Sequence, residues 1–252
     1  MKHDIVYILK NDYSEEELRY SLRSVCLNFP YRKVVFVGGC PKDIRPDIYL
    51  NHVQTGSTKW ARARSSLIKA LSSDELTDEI WLFNDDFFIM DKIKAHADVN
   101  YFNGTLEKRV IDMRRNCGRN SGYMNELDRL RQILLKANRD TLSFALHIPM
   151  LLNRKDALEL LTNKTFDTPM FRSLYGNYYR IPCEFMEDVK VRDLETIPDT
   201  PYISTTDQAF TSGKVGEFLR RYFAEPCRYE RKQANGFSLK EIYTEEGEVR
   251  YE

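Results

Sequence analysis

Two adjacent carboxylates, Asp85 and Asp86, interrupt the apolar run Trp81-Leu82-Phe83-Asn84-Asp85-Asp86-Phe87-Phe88. Ionised Asp side chains repel each other and are costly to desolvate. At the mouth of a hydrophobic strand they are tolerable when a cation lies between them and a bound ligand. The commonest enzymatic use of such a pair is a divalent ion, Mn2+ or Mg2+, gripping a diphosphate. A solvated turn or a helix cap is the plainer alternative, and the apolar residues on both sides count against an exposed turn. His147 lies within Phe144-Ala145-Leu146-His147-Ile148-Pro149-Met150. An imidazole there is either a satisfied core group or a proton carrier working near neutrality. Arg172, a few residues before Gly176, either caps carbonyls and pairs with a surface acid or clamps phosphate oxygens. Asp207 follows Thr205-Thr206, which suits a helix N-cap as well as a metal ligand or general base.

The elements around these residues are of alternating type. Asp4-Ile5-Val6-Tyr7-Ile8-Leu9 reads as a buried strand. Asn11-Asp12-Tyr13-Ser14 reads as a turn, and Ser14 with Glu17 resembles a capping box for a helix bearing Leu18, Leu22 and Val25 on one face. Residues 33–39 form a second buried strand ending in Gly38-Gly39, so that strand, helix and strand make a βαβ unit and imply a parallel sheet. A helix from Trp60 to Leu71 precedes a strand from Asp78 to Phe83, which delivers Asn84, Asp85 and Asp86 at its carboxyl end. Open α/β sheets bind ligands at that end. Residues 107–140, with Lys108, Arg109, Arg114, Arg115, Arg119, Arg129 and Arg131, read as a charged helical insertion over the sheet. Leu142 to Met150 is an apolar run, Lys155 to Leu161 a helix, and the segment through residues 171–177 loop-rich. The tail at 231–252 is polar, which suits a poorly ordered terminus.

Composition narrows the classes. A chain of 252 residues can bury a real core, and one α/β domain over residues 1–230 is the expectation. Its 38 basic and 38 acidic residues cancel, which argues against a chain basic all over and built to coat nucleic acid. Fifteen Tyr and fourteen Phe serve core packing first and ligand stacking second. Cys26, Cys40, Cys117, Cys183 and Cys227 are scattered, with no CxxC pair, so neither a zinc site nor a disulfide framework is indicated. Free thiols suit a reducing compartment, and no secretory or membrane-spanning apolar run appears; a soluble, cytoplasmic protein is expected. No GxGxxG or GxxxxGK[ST] pattern occurs, which weakens Rossmann oxidoreductase and P-loop readings.

The chain resembles the Stealth family of sugar-phosphate transferases and, more broadly, the nucleotide-sugar glycosyltransferases of the GT-A fold. Asp4-Ile5-Val6-Tyr7 looks like that family's first strand, and Glu17 to Val25 with Val34-Val35-Phe36-Val37 like the opening of its second region. Phe83-Asn84-Asp85-Asp86-Phe87-Phe88 looks like its acidic signature, the counterpart of the GT-A DxD motif. His147-Ile148-Pro149 looks like its third region, and Phe171-Arg172-Ser173 like the arginine segment after it. The resemblance implies a GT-A-like, mainly parallel sheet flanked by helices, and a nucleotide-diphosphate sugar as donor. It implies Mn2+ or Mg2+ on Asp85 and Asp86, and donor binding by Asn84, Asp85, Asp86 and Arg172. It implies catalytic roles for Asp86, His147, Arg172 and Asp207, with Asp207 activating the acceptor or binding metal. It implies a glycan or another hydroxyl-bearing polymer as acceptor. The basic 107–140 segment with Arg220, Arg221, Arg228 and Arg231 leaves nucleic acid open as that polymer. Glycosyl transfer, transfer of a sugar 1-phosphate and non-catalytic binding of a nucleotide sugar or glycan all fit the same motif set. Arg19 and Arg23 read as surface helical charges.

Overall fold

A computed structural model of the chain describes residues 2–12, 16–93, 98–117, 122–231, 241–243 and 249–251. Its framework is a mixed α/β fold with a mainly parallel five-stranded sheet. The strands are β1 (Asp4–Leu9), β2 (Val34–Gly38), β3 (Ile48–Asn51), β4 (Glu79–Phe83) and, later in the chain, β7 (Met150–Asn153). Their order is β3-β2-β1-β4-β7, with β7 antiparallel to β4. The order reverses at β1, whose neighbours β2 and β4 both run parallel to it. A crevice therefore opens between the carboxyl ends of β1 and β4, the place where doubly wound sheets bind ligands.

Continuous β-branched and aromatic runs suit strands covered on both faces. One face carries Val6, Val35, Val37, Ile80 and Leu82, packed on helix α2 (Lys59–Leu71) and on α5 (Arg154–Thr162) and α6 (Phe171–Tyr178). The other carries Ile5, Tyr7, Phe36, Trp81 and Phe83, packed on Leu18, Leu22 and Val25 of α1 (Glu17–Asn28). The strands β5 (Phe87–Ile89), β9 (Lys190–Val191) and β10 (Tyr202–Thr205) form a second sheet in the order β5-β10-β9. Beside it, α7 (Asp207–Ser212) and α8 (Lys214–Tyr222) bury Phe210, Val215 and Leu219 against Phe88 and Ile203. Two small pairs complete the fold, β6 (Asn100–Phe102) with β8 (Cys183–Phe185) and β11 (Glu241–Tyr243) with β12 (Val249–Tyr251).

The basic insertion is a pair of helices, α3 (Leu106–Cys117) and α4 (Gly122–Lys136). Leu106, Val110, Leu127, Leu130 and Leu134 join the main core, so it packs through one face rather than floating over the sheet. Much of its charge is internally paired. Lys108 meets Asp112, Arg129 meets Glu126, and Arg131 meets Glu107 and Asp128. Arg119 lies outside the described residues.

Several local expectations differ from the structure. Residues 171–178 are the helix α6 and not a loop. Gly176 faces the Phe144 ring so closely that a Cβ would come within 2.5 Å of it, which is why a glycine interrupts a helical sequence there. Ser14 and Tyr13 lie outside the described residues, and the Glu17 carboxylate bonds to Thr205 and not to its own helix end. Gly38-Gly39 serves close approach of backbone: a Cβ on Gly39 would overlap the carbonyl oxygen of Lys10. Tyr229 and Glu230, the last residues before the polar tail, pack against the body of the fold. Most of 231–252 lies outside the described residues. No helix among the described residues is long and apolar enough to cross a membrane.

Candidate active site

A cleft of about 1090 Å3 opens at the switch point. Ile8 and Lys10 from the end of β1, and Leu82, Asn84 and Asp85 from the end of β4, form its floor. Lys59 and Trp60 of α2, Arg109 of α3 and Tyr123 of α4 form one wall. His147, Arg172 and Arg192 form the other. Of the six expected site residues Asn84, Asp85, Asp86, His147, Arg172 and Asp207, the four Asn84, Asp85, His147 and Arg172 line this cleft.

The two aspartates have different surroundings. The strand β4 ends at Phe83, and the Phe87 N–H closes a turn onto the Asn84 carbonyl at 3.3 Å. That turn leaves Asn84 exposed and Asp85 half-buried on the cleft, while Asp86 is buried behind it. The Asp86 carboxylate accepts from the Ser204 hydroxyl at 2.8 Å and from the Lys190 ammonium. Lys190 donates also to the Thr205 carbonyl, and Thr205 donates to Glu17 at 2.8 Å. This chain of contacts ties the turn to β9, β10 and the start of α1. Burial, reinforced by Asp86, Asp85 and Asp207, pushes the Glu17 carboxyl up to about 7, against the Thr205 bond that favours its charged form.

Arg172 and His147 are held side by side. The Arg172 guanidinium donates through Nη1 to the carbonyls of Ile148 at 2.6 Å and Leu146 at 3.4 Å, the residues flanking His147. Its carbon Cζ stands 5.4 Å from the centre of the Phe87 ring. Nη2 is buried and has no partner among the described residues. Burial lowers the guanidinium to about 10, with the Asp86 charge opposing that shift. An unpartnered buried donor of this kind is costly unless a ligand meets it. The carbonyl-capping role expected of an unremarkable Arg is therefore half the story: one nitrogen caps, the other is left over.

His147 Nδ1 lies 2.8 Å from Asp188 Oδ1, and the His147 N–H donates to the same oxygen at 3.2 Å. The carboxylate fixes the tautomer with Nδ1 protonated, which leaves Nε2 as the accepting atom. Burial acts to raise the Asp188 carboxyl, but the bonds and charge of His147 and the bond from Arg192 outweigh it and hold it at about 2. A base oriented by a carboxylate is the arrangement used in acyl and glycosyl chemistry alike.

Asp207 stands apart. It occupies the first turn of α7, exposed, and is not among the residues lining the cleft. The N-cap of that helix is Thr206, whose hydroxyl accepts from the Ala209 N–H at 3.2 Å. Sequence reasoning did not find Glu17, Asp188, Lys190 or Ser204. The segment Met186-Glu187-Asp188-Val189-Lys190 carries no periodic or motif signal, and only the pairing of β9 with β10 brings it to the site.

Whether these residues suit a divalent ion turns on the donor set. Among the described residues no cluster of three or more His, Cys, Asp or Glu side chains stands ready to hold one. Asp86 already carries a cation. Asp85 lines the cleft, and Mg2+ sites commonly pair one carboxylate with substrate phosphates and water. The donor set does not fit an ion shared by both aspartates while Lys190 stays in place.

No family model matches the chain, and no curated protein matches it. Among solved structures it is similar to the crystal structure of the glycosyltransferase GlyE in Streptococcus pneumoniae TIGR4, at 10% identity and a TM-score of 0.35. The alignment covers 74% of this chain and 45% of that one, so the chain spans less than half the length of that protein. At this likeness the chemistry has to be read from the cleft itself.

Proposed function

We propose that the protein is a transferase of GT-A type acting on a nucleotide-diphosphate sugar, with its catalytic machinery in the cleft between β1 and β4. The observation that carries this reading is the leftover Nη2 of Arg172 beside a carboxylate-oriented His147. An anion-seeking donor and a proton acceptor at one point suit a reaction that takes a proton from an attacking hydroxyl and releases a phosphate-bearing leaving group.

In glycosyl transfer the acceptor oxygen attacks the anomeric carbon and its proton passes to His147 Nε2. The bond between that carbon and the diphosphate oxygen breaks, and the nucleoside diphosphate leaves with the electron pair. Asp188 stabilises the imidazolium formed, as a buried carboxylate does for a catalytic histidine. Arg172 Nη2 meets the negative charge growing on the departing phosphate. A divalent ion on Asp85 and the donor's phosphates would neutralise the same charge. Asn84, exposed at the floor, orients the donor.

The adjacency of Arg172 and His147 also favours a second reading, attack at phosphorus with transfer of the sugar 1-phosphate. Here the acceptor oxygen bonds to the phosphorus nearest the sugar, and a nucleoside monophosphate leaves. Incubating the protein with a panel of nucleotide sugars, Mn2+ and hydroxyl acceptors, then identifying the released nucleotide, separates the two. Diphosphate release supports glycosyl transfer and monophosphate release the alternative. Donor binding without release, unaffected by His147→Ala, would leave a binding module and overturn both.

A further inference from the structure

We infer that Cys26 and Cys227 form a redox site: peroxide converts the two thiols to a disulfide that locks the segment after α8 onto α1, and a thiol reductant opens it again. The inference stands apart from the transferase reading, since neither cysteine lines the cleft.

The fold brings these residues together from distant parts of a chain that holds no CxxC spacing to announce them. Cys26 lies in the last turn of α1 and Cys227 in the segment after α8, both half-buried against one side of the core. A single carboxylate oxygen ties the two segments. Glu230 Oε1 accepts from the Cys227 N–H at 2.9 Å and from Arg23 Nε at 2.7 Å. Arg23 stands three residues before Cys26, on the same side of the helix. Two tyrosines close the site. The Tyr31 hydroxyl lies 3.4 Å from the Cys26 sulfur, and the Tyr31 ring centre lies 6.4 Å from that of Tyr229, two residues beyond Cys227. Within this frame the side chains of Cys26 and Cys227 are hydrogen-bonded to each other. A disulfide asks for sulfurs about 2 Å apart on Cβ atoms about 3.8 Å apart, so thiols already bonded to one another need only a small approach. Cys227 sits outside regular secondary structure, where the backbone can make it.

Cys26 is the thiol that reacts first. The bond from Cys227 lowers it most, burial opposes, the Tyr31 hydroxyl and the Arg228 charge add to the lowering, and Asp47 acts against it; the thiol settles at about 7. Cys227, the donor in that bond, is pushed up by it and by burial. Cys40 and Cys183 differ. Burial raises both, and the Cys40 thiol donates to the carbonyls of Pro41 and Ile44 at 3.8 and 3.6 Å. A lowered thiol with a second thiol in contact is the arrangement of a reversible peroxide sensor. The Cys26 thiolate attacks one peroxide oxygen and the O–O bond breaks. The hydroxide that leaves takes up the Cys26 proton as water, and Cys26 becomes a sulfenic acid. The Cys227 sulfur then attacks the Cys26 sulfur, the S–O bond breaks, and the hydroxide released takes the Cys227 proton as a second water. The two thiols lose two electrons in all, and peroxide is reduced to two waters. A small dithiol reverses the change by exchange. The disulfide closes a loop over most of the chain, which restricts the unfolded state.

The test is hydrogen peroxide treatment of the reduced full chain, read by a peptide map under non-reducing conditions, by intact mass and by melting. The expected result is a cross-linked peptide joining Cys26 to Cys227, a mass lower by two hydrogens, and a melting temperature raised by about 5 °C or more. Dithiothreitol is expected to reverse all three. Cys227→Ser is expected to lose both the cross-link and the rise in melting temperature, and Cys40→Ser to keep both. The wild-type map needs no variant, so a substitution that fails to fold does not obscure the result. The inference is overturned if folded wild-type protein carries Cys26 as sulfinic acid after peroxide, or leaves Cys26 and Cys227 open to alkylation. It is equally overturned if disulfides through Cys40, Cys117 or Cys183 form as often as the one from Cys26 to Cys227, or if that bond forms and the melting temperature does not rise.

Discussion

Two charged clusters in this molecule have nearly the same ingredients and opposite degrees of satisfaction. The first clamps the segment after α8 onto α1. Glu230 accepts from Arg23 at 2.7 Å and from Arg19 at 2.8 Å, Arg19 also meets Asp43, and Arg23 donates to the carbonyls of Phe223 and Ala224. Nearby, Arg228 and the Tyr229 hydroxyl both reach Asp47. The second is the cleft, where Arg172 keeps an unpartnered nitrogen, and where the Trp60 indole N–H and Arg109 Nε are likewise buried without partners among the described residues. A cluster whose donors and acceptors are matched within the protein has a structural task. A cluster with leftover donors at a strand-end crevice is, on the proposed reading, arranged for a ligand; Arg139 Nε and Arg154 Nε are unpartnered too, but outside the cleft.

The sharpest break in that comparison comes from separating turnover from stability. His147→Ala is expected to lower turnover by about 10³-fold or more, the size of a lost general base, with a small change in melting temperature. Asp188→Asn is expected to fall nearly as far while leaving donor affinity in place, because the tautomer is lost and not the pocket. Steady-state kinetics beside direct donor titration distinguishes these from unfolding. If either variant melts early and turns over normally per folded molecule, the dyad belongs with the structural cluster.

Glu230→Ala should give the mirror image. It strands Arg19 and Arg23, and the expected loss is about 4 kcal/mol of unfolding free energy in urea, with kcat per folded molecule unchanged. The same carboxyl is held at about 2 by Arg23, the Cys227 N–H and Arg19, against burial that acts to raise it. A depressed acid contributes stability that is full above its unfolded value near 4.5 and is lost as pH falls towards 2. Acid unfolding of the wild type should therefore steepen below pH 4, and in Glu230→Ala that steepening should be reduced.

Glu17 sharpens the comparison on the other side. Its folded carboxyl sits at about 7, above the ordinary 4.5, chiefly through burial. For a raised acid the sign reverses: the folded state binds the extra proton, so stability is lost as pH rises from about 4.5 to about 7. Glu17→Gln, which keeps a partner for Thr205, should match the wild type near pH 4.5 and exceed it by roughly 2–3 kcal/mol at pH 8, measured by urea unfolding. A wild type as stable as the variant at pH 8 would place Glu17 among the satisfied charges.

Much of the framework was legible in the chain. The apolar runs at 4–9, 34–38 and 79–83, with helical patterns between them, require parallel strands, and the acidic turn had to emerge at their carboxyl edge. Asn84 and Asp85 stood out because they break an apolar run at a strand end, whereas His147 and Arg172 had plain structural readings on their own and were singled out chiefly through the family resemblance. What escaped was set by long-range pairing. Asp188 and Lys190 lie in a polar stretch whose meaning appears only when β9 is laid beside β10. The engagement of Asp86 by Lys190 was hidden for the same reason, since Lys190 is more than a hundred residues away in sequence. Asp207 differs: after two threonines it reads as a helix N-cap, yet Thr206 does the capping and Asp207 is exposed in the first turn. The helix at 171–178 was obscured by Gly176, whose reason is the Phe144 ring and not a turn.

The central claim is that the leftover donor of Arg172 exists to meet a donor phosphate beside His147. The most direct measurement is a crystal structure of the protein soaked with a nucleoside diphosphate and Mn2+. The account predicts a phosphate oxygen about 3 Å from Arg172 Nη2, within the cleft floored by Asn84 and Asp85. A nucleotide bound elsewhere, with Arg172 Nη2 satisfied by protein or water alone, would contradict it.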